Sequence, residues 1–134
     1  MSTSQRAQGD DMAERYERAR AMFEHGEYQR AADELAVLVD DSALAPPLHG
    51  TTELRMLLGR AYFHSAQLSR AETVVRAVLA DHPDEPYANL LLGRTLQRQG
   101  RRGEATPHLA MAELLGGYAV TGRLPEEGGS AAGT

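Results

Sequence analysis

The chain has no cysteine, no tryptophan and no lysine. The first absence removes disulfide bridges, thiolate metal ligands and a cysteine nucleophile together. The last leaves arginine as all fourteen of the basic residues. In an Ala- and Gly-rich chain this fits a GC-rich genome, against selection for guanidinium chemistry. Aromatic residues make up only 5% of the sequence. No apolar run approaches the roughly 20 residues that span a bilayer. The opening MSTSQRAQGDD is polar and lacks the apolar core of a signal peptide. The expectation is a soluble, cytoplasmic chain with no membrane partner. A formal net charge of −5 disfavours nonspecific attraction to nucleic acid or anionic lipid.

Signs of catalysis are equally sparse. His25, His49, His64, His82 and His108 are scattered, with no pair four apart on a helix, so neither metal nor cofactor is expected. No Gly-rich phosphate loop occurs, and nothing sets a serine on a sharp strand-to-helix turn. Asp40-Asp41 and Glu126-Glu127 read as solvated termini rather than acid–base pairs. Arg98, Arg101 and Arg102 form a short basic run without an aromatic platform for bases. No enzyme is expected.

What is present is periodicity. The 134 residues, 42% of them hydrophobic, suffice for about one domain with a modest core. Thr52 to Pro83 reads as two short amphipathic helices joined by a tight turn. Shifted forward by 34, Gly59, Ala71 and Pro83 land on Gly93, Ala105 and Gly117. Shifted back by 40, Gly59 and Ala71 land on Ala19 and Ala31, so six residues (40 − 34) are inserted between the first and second copies. That insertion lies within about 40–51 and contains Pro46-Pro47, which stop a helix. Residues 1–10 are expected to be disordered, repeats to cover about 12–45, 52–85 and 86–117, and 118–134 to form a tail.

Along the chain, Asp10 or Asp11 can cap a first helix running to about His25. Glu27–Asp40, Thr52–His64, Leu68–Ala80, Tyr87–Gln99 and Arg101–Leu115 follow as helices. Gly26, Ala66 and Gly100 occupy the hairpin turns. A left-handed turn at Ala66 costs ~1 kcal/mol. Asp81 to Asp84 is expected to break one helix and cap the next, with Pro86 in its first turn. At Pro107 the last helix either restarts or kinks. On a helical wheel of the middle helix, Leu54, Leu57, Leu58, Gly59, Ala61 and Tyr62 fill an arc of roughly 200°, which suits a helix with neighbours on several sides.

These positions resemble tetratricopeptide repeats, over about Met12 to Gly117, as in a small three-repeat bacterial protein. The small–aromatic–Gly–Ala–large–Ala/Val–Pro signature stands as Gly59, Tyr62, Ala66, Ala71, Val75, Val78 and Pro83. The third copy has Gly93, Leu96, Gly100, Ala105, Leu109, Ala112 and Gly117, and the first has Ala19, Met22, Gly26, Ala31, Leu35 and Leu38. The family's early Trp is replaced by Arg15, Arg55 and Asn89. The resemblance implies an all-α, right-handed α-solenoid whose first helices line a concave groove, and a non-catalytic adaptor or scaffold that binds a protein or peptide there. Groove positions by that resemblance are Tyr16, Arg20, Phe23, Met56, Arg60, Phe63, His64, Tyr87, Leu90, Arg94 and Arg98, joined by Ala13, Glu24, Glu53 and Gln97. Arg20, Arg60 and Arg94 share one position in successive copies. They imply a cationic ladder for a segment bearing carboxylates and apolar anchors, or else are solvated or internally paired.

A solenoid normally ends in a polar capping helix, and none is evident here. Leu114 and Leu115 are therefore expected to lack cover. Tyr118, Val120 and Leu124 could fold back over them, two chains could pair there as a homodimer, or the patch could stay partly exposed. Self-association through this end is the alternative function, with Leu114, Leu115 and Tyr118 as its residues. An RNA-contacting regulator is a third reading, opposed by the net charge.

Overall fold

The structure is a computed structural model that describes residues 2–43 and 51–118. Among the described residues it is all-α, with six helices and no strand: α1 (Ser2–Glu24), α2 (Tyr28–Ala43), α3 (Thr51–His64), α4 (Leu68–Asp81), α5 (Pro86–Arg98) and α6 (Arg102–Gly116). None of them is long and apolar enough to cross a membrane. Two ends differ from expectation. The α1 backbone is helical from Ser2, well upstream of Asp10 and through a segment expected to be disordered, and α2 continues past Asp40 to Ala43. Neither extension adds apolar periodicity, the signal from which helix ends are read. The Pro46-Pro47 insertion and the tail beyond Tyr118, with Val120 and Leu124, lie outside the described residues.

Three hairpin turns share one backbone motif. Gly26, Ala66 and Gly100 have φ of 81°, 62° and 78°. The N–H of each reaches back three residues, to Phe23, Phe63 and Gln97 carbonyls at 2.9, 3.1 and 2.9 Å. The next N–H reaches back five, from Glu27, Gln67 and Arg101 to Met22, Tyr62 and Leu96 at 2.8, 2.8 and 2.9 Å. This paired closure satisfies the orphan carbonyls of a helix end and requires one left-handed residue. Each following helix then opens with the N–H of the signature alanine, Ala31, Ala71 or Ala105, donating four residues back. Ala66 is the only non-glycine with positive φ among the described residues.

Packing divides the chain into two compact units, Met1–Val74 and Val75–Thr134, with the division inside α4. In the first unit α1 packs on α2 and α2 on α3. Leu35 and Leu38 of α2 are buried in its core, each side chain contributing about 1.5–3 kcal/mol by removal from water. Arg15 ties α1 to α2 through its Nη1, 3.3 Å from Asp41 and 3.5 Å from Asp11. Helix α3 is buried over a still wider face than the wheel implied, because Phe63 is only 6% exposed.

In the second unit α5 packs along α6. Glu85, not the preceding Asp84, caps α5, its carboxylate accepting from the Tyr87 N–H at 3.2 Å, with Pro86 as the first helical residue. Helix α6 does not restart at Pro107, which lies inside one continuous helix. Gly93 lets the two helices close: a Cβ there would lie 2.5 Å from Leu109 Cδ2 and 2.6 Å from its Cγ. Gly93→Ala is therefore expected to destabilise the fold, although alanine is favoured over glycine by about 1 kcal/mol within an exposed helix. Adding Leu109→Ala should narrow the gap between Gly93→Ala and its parent, as read in urea midpoints. Ala66→Gly should stabilise by ~0.5–1 kcal/mol by removing left-handed strain, visible as a higher thermal midpoint.

Candidate functional site

The first unit brings together most of the site residues expected of its repeats. Phe23 lies in the last turn of α1, and the Gly26 turn places Tyr28 at the start of α2, so their rings meet edge to face at 5.1 Å. His64, at the end of α3, stacks on Tyr28 with centroids 4.7 Å apart and meets Phe23 edge-on at 5.7 Å. Phe63 meets His64 at 5.4 Å. Arg60, one turn before His64, holds its guanidinium carbon 4.7 Å from the Phe23 ring centroid. Helices α1, α2 and α3 thus jointly place a cation on an aromatic platform, a contact worth ~0.5–2 kcal/mol. Phe23 and Phe63 are buried, whereas Arg60, His64 and Met56 are half-buried.

Arg20 is exposed and engaged with its own helix, 3.8 Å from both Glu17 and Glu24. Such exposed pairs, three and four residues apart, contribute only ~0.3–0.5 kcal/mol, so a competing carboxylate can displace them. Its guanidinium carbon also lies 6.0 Å from the Tyr16 ring centroid. Burial pushes the Tyr16 hydroxyl above its ordinary pKa; Arg20 opposes this, Glu53 and Glu17 reinforce it, and Arg60 opposes it. Tyr16, Arg20, Glu53 and Arg60 thus share one electrostatic neighbourhood in which both charge signs are present. Ala13, Glu24 and Glu53 are exposed.

The second unit holds the remaining residues. Tyr87 is half-buried and meets Tyr118 edge to face, with centroids 6.0 Å apart. Tyr118 thus lies against α5. Leu114 and Leu115 are 79% and 44% exposed. Leu90 is 2% exposed and belongs to the core. Half-buried Arg94 donates to Gln97 Oε1 at 3.1 Å, and Arg98 is exposed.

Asn89, in the first turn of α5, is buried and links α5 to α6. Its Nδ2 donates to the Pro83 and Glu85 carbonyls at 3.2 and 3.0 Å. The amide oxygen is then the acceptor, so the His108 nitrogen 3.1 Å away, Nδ1, carries the hydrogen. Burial, followed by the Arg76 charge, lowers the pKa of His108 from its ordinary 6.5.

Sequence reasoning missed Tyr28, the ring on which His64 stacks. The corresponding positions in the other two repeats are Leu68 and Arg102, so register alone gave no aromatic signal there. Among the described residues, no three His, Cys, Asp or Glu side chains gather as metal ligands. No protein-family model matches the chain, and no curated protein matches it.

His108 has a definite stability signature. Because its folded pKa is depressed, its contribution is complete above pH 6.5, the unfolded value, and is lost as pH falls through the folded one. Protonation keeps the Nδ1–H bond to Asn89, so the loss arises from charging a half-buried ring beside Arg76. Urea midpoints of the wild type should fall more between pH 8 and pH 5 than those of His108→Gln; equal falls would contradict this assignment.

Proposed function

We propose that the chain is a right-handed α-solenoid of three tetratricopeptide repeats and a non-catalytic interaction module. Its partner is an extended protein or peptide segment that combines carboxylates with apolar anchors and lies against the first helices of the hairpins. The observation that carries this reading is Arg60 held over Phe23 beside the His64–Tyr28 stack. A guanidinium fixed against a ring is preorganised for the bidentate acceptor geometry of a carboxylate. The half-buried Tyr28 and His64 rings offer rigid contact at small entropic cost. Support for the repeat assignment comes from the three identical turn closures, each followed five residues later by an alanine.

Arg20 enters as a secondary contact, since its own glutamates hold it weakly and a ligand carboxylate can take their place. Arg94 holds the equivalent position in the third repeat. The mixed charge near Tyr16 argues for a ligand with few carboxylates at fixed spacing rather than a polyanion.

Selection from a displayed library of random short peptides should enrich sequences that pair Asp or Glu with Leu, Phe or Tyr. Arg60→Glu, alone or with Arg94→Glu, should keep the helical circular dichroism and weaken the selected peptide at least ~10-fold, about 1.4 kcal/mol. Arg60→Gln should lie between. Enrichment of no common pattern, or unchanged affinity in Arg60→Glu, would refute the reading.

A further inference from the structure

Helix α6 presents an outer face unlike that of any other described element. Met111, Leu114 and Leu115 are 38%, 79% and 44% exposed, three of the four large apolar side chains that are exposed among the described residues. They fill the C-terminal half of that face. The N-terminal half carries Gly103 and Pro107 instead, both exposed, with Glu104 beside them and open space where a Gly103 Cβ would point. Large residues at one end and small ones at the other make the face self-complementary only when a second copy runs antiparallel to it.

Charge has the same symmetry. Arg102 and Glu113 are both exposed, and neither side chain forms a hydrogen bond or ion pair among the described residues. Eleven residues apart, they project only about 20° from each other around the helix, on one flank of the apolar stripe. Glu104, which projects between Met111 and Leu115, is already engaged by Arg101 through two bonds of 2.8 Å. A two-fold axis across an antiparallel helix pair brings like flanks together. Seating Leu114 on Gly103 of the other copy then places Glu113 within ~3 Å, along the axis, of the other copy's Arg102, and reciprocally. The same arrangement sets each Glu113 near the positive N-terminal end of the facing helix.

We infer that the outer face of α6 pairs with a second copy of this chain, antiparallel, through Leu114 on Gly103 and the reciprocal Arg102–Glu113 ion pairs. One helix face is smaller than the ~800 Å² per partner of a standard stable interface, so the association is weak and concentration-dependent. It uses a different surface from the peptide reading, and either can fail without the other.

Sedimentation across a concentration series tests it on the full chain. The wild type should show a monomer–dimer equilibrium in the micromolar to sub-millimolar range. Arg102→Glu and Glu113→Arg should each weaken it at least ~10-fold, and the double exchange should restore most of the loss. Leu114→Glu should leave a monomer with unchanged helical circular dichroism. Three outcomes would overturn the proposal: a monomer at the highest concentration, a dimer indifferent to both single reversals, or a chain that dimerises only after residues 119–134 are removed. The last would make the tail the occupant of this face.

Discussion

A single added carbon at Gly93 would fall 2.5 Å from the Leu109 side chain, and one at Gly116 would fall 2.5 Å from Pro86 Cβ. Two glycines, one near the middle of the α5–α6 pair and one at its open end, hold the helices at a separation no other residue permits without movement. This close approach lets Leu91, Leu92 and Leu96 leave water completely, and such burial is the main favourable contribution a small helical domain has. It also depends on the turn that precedes it. Gly100 ends α5 so that Arg101 can return at once into α6, and Gly26 and Ala66 do the same for their helices. Alanine at the middle turn shows that the geometry is kept even where it costs energy.

Close packing leaves little room for polar groups, and the buried Asn89 is bonded through both ends of its amide. Half-buried Arg15, past the middle of α1, and Asn89, in the first turn of α5, each cross to the second helix of their hairpin, Arg15 to Asp41 and Asn89 to His108. A buried amide bonded on both of its ends orients the hairpin more sharply than an apolar contact would. An unmet partner would cost about 1–3 kcal/mol. The same environment that makes Asn89 useful keeps His108 neutral.

The functional reading rests on groups that packing leaves over. Arg60, His64 and Tyr28 come from two helices and are brought together because Phe23 fills the gap between them. The exposed apolar half of α6 is the converse case, with no described residue covering it. One feature suits a ligand with fixed charges and the other a copy of the same surface, and they lie in different units of the chain.

The turn positions, the six helices and the alanines that open each second helix could be read from the sequence, because left-handed backbone and close approach restrict residue type strongly. Repeat spacing also brought Phe23, Arg60 and His64 onto one candidate surface. Helix ends were less legible: the polar residues before Asp10 carry no apolar stripe, yet the backbone there is helical. Phe63 and Leu90 are groove positions by the resemblance and are buried, since a pattern read along one helix cannot count the helices around it. Whether Arg20 answers a ligand or its own glutamates, and that Tyr28 stacks on His64, depend on distances between side chains far apart in sequence or free to rotate. The sequence alone determined where the backbone must bend and where helices must touch, because those demands act on single residues. Which polar and aromatic groups meet was decided only by tertiary packing, because that is a property of pairs.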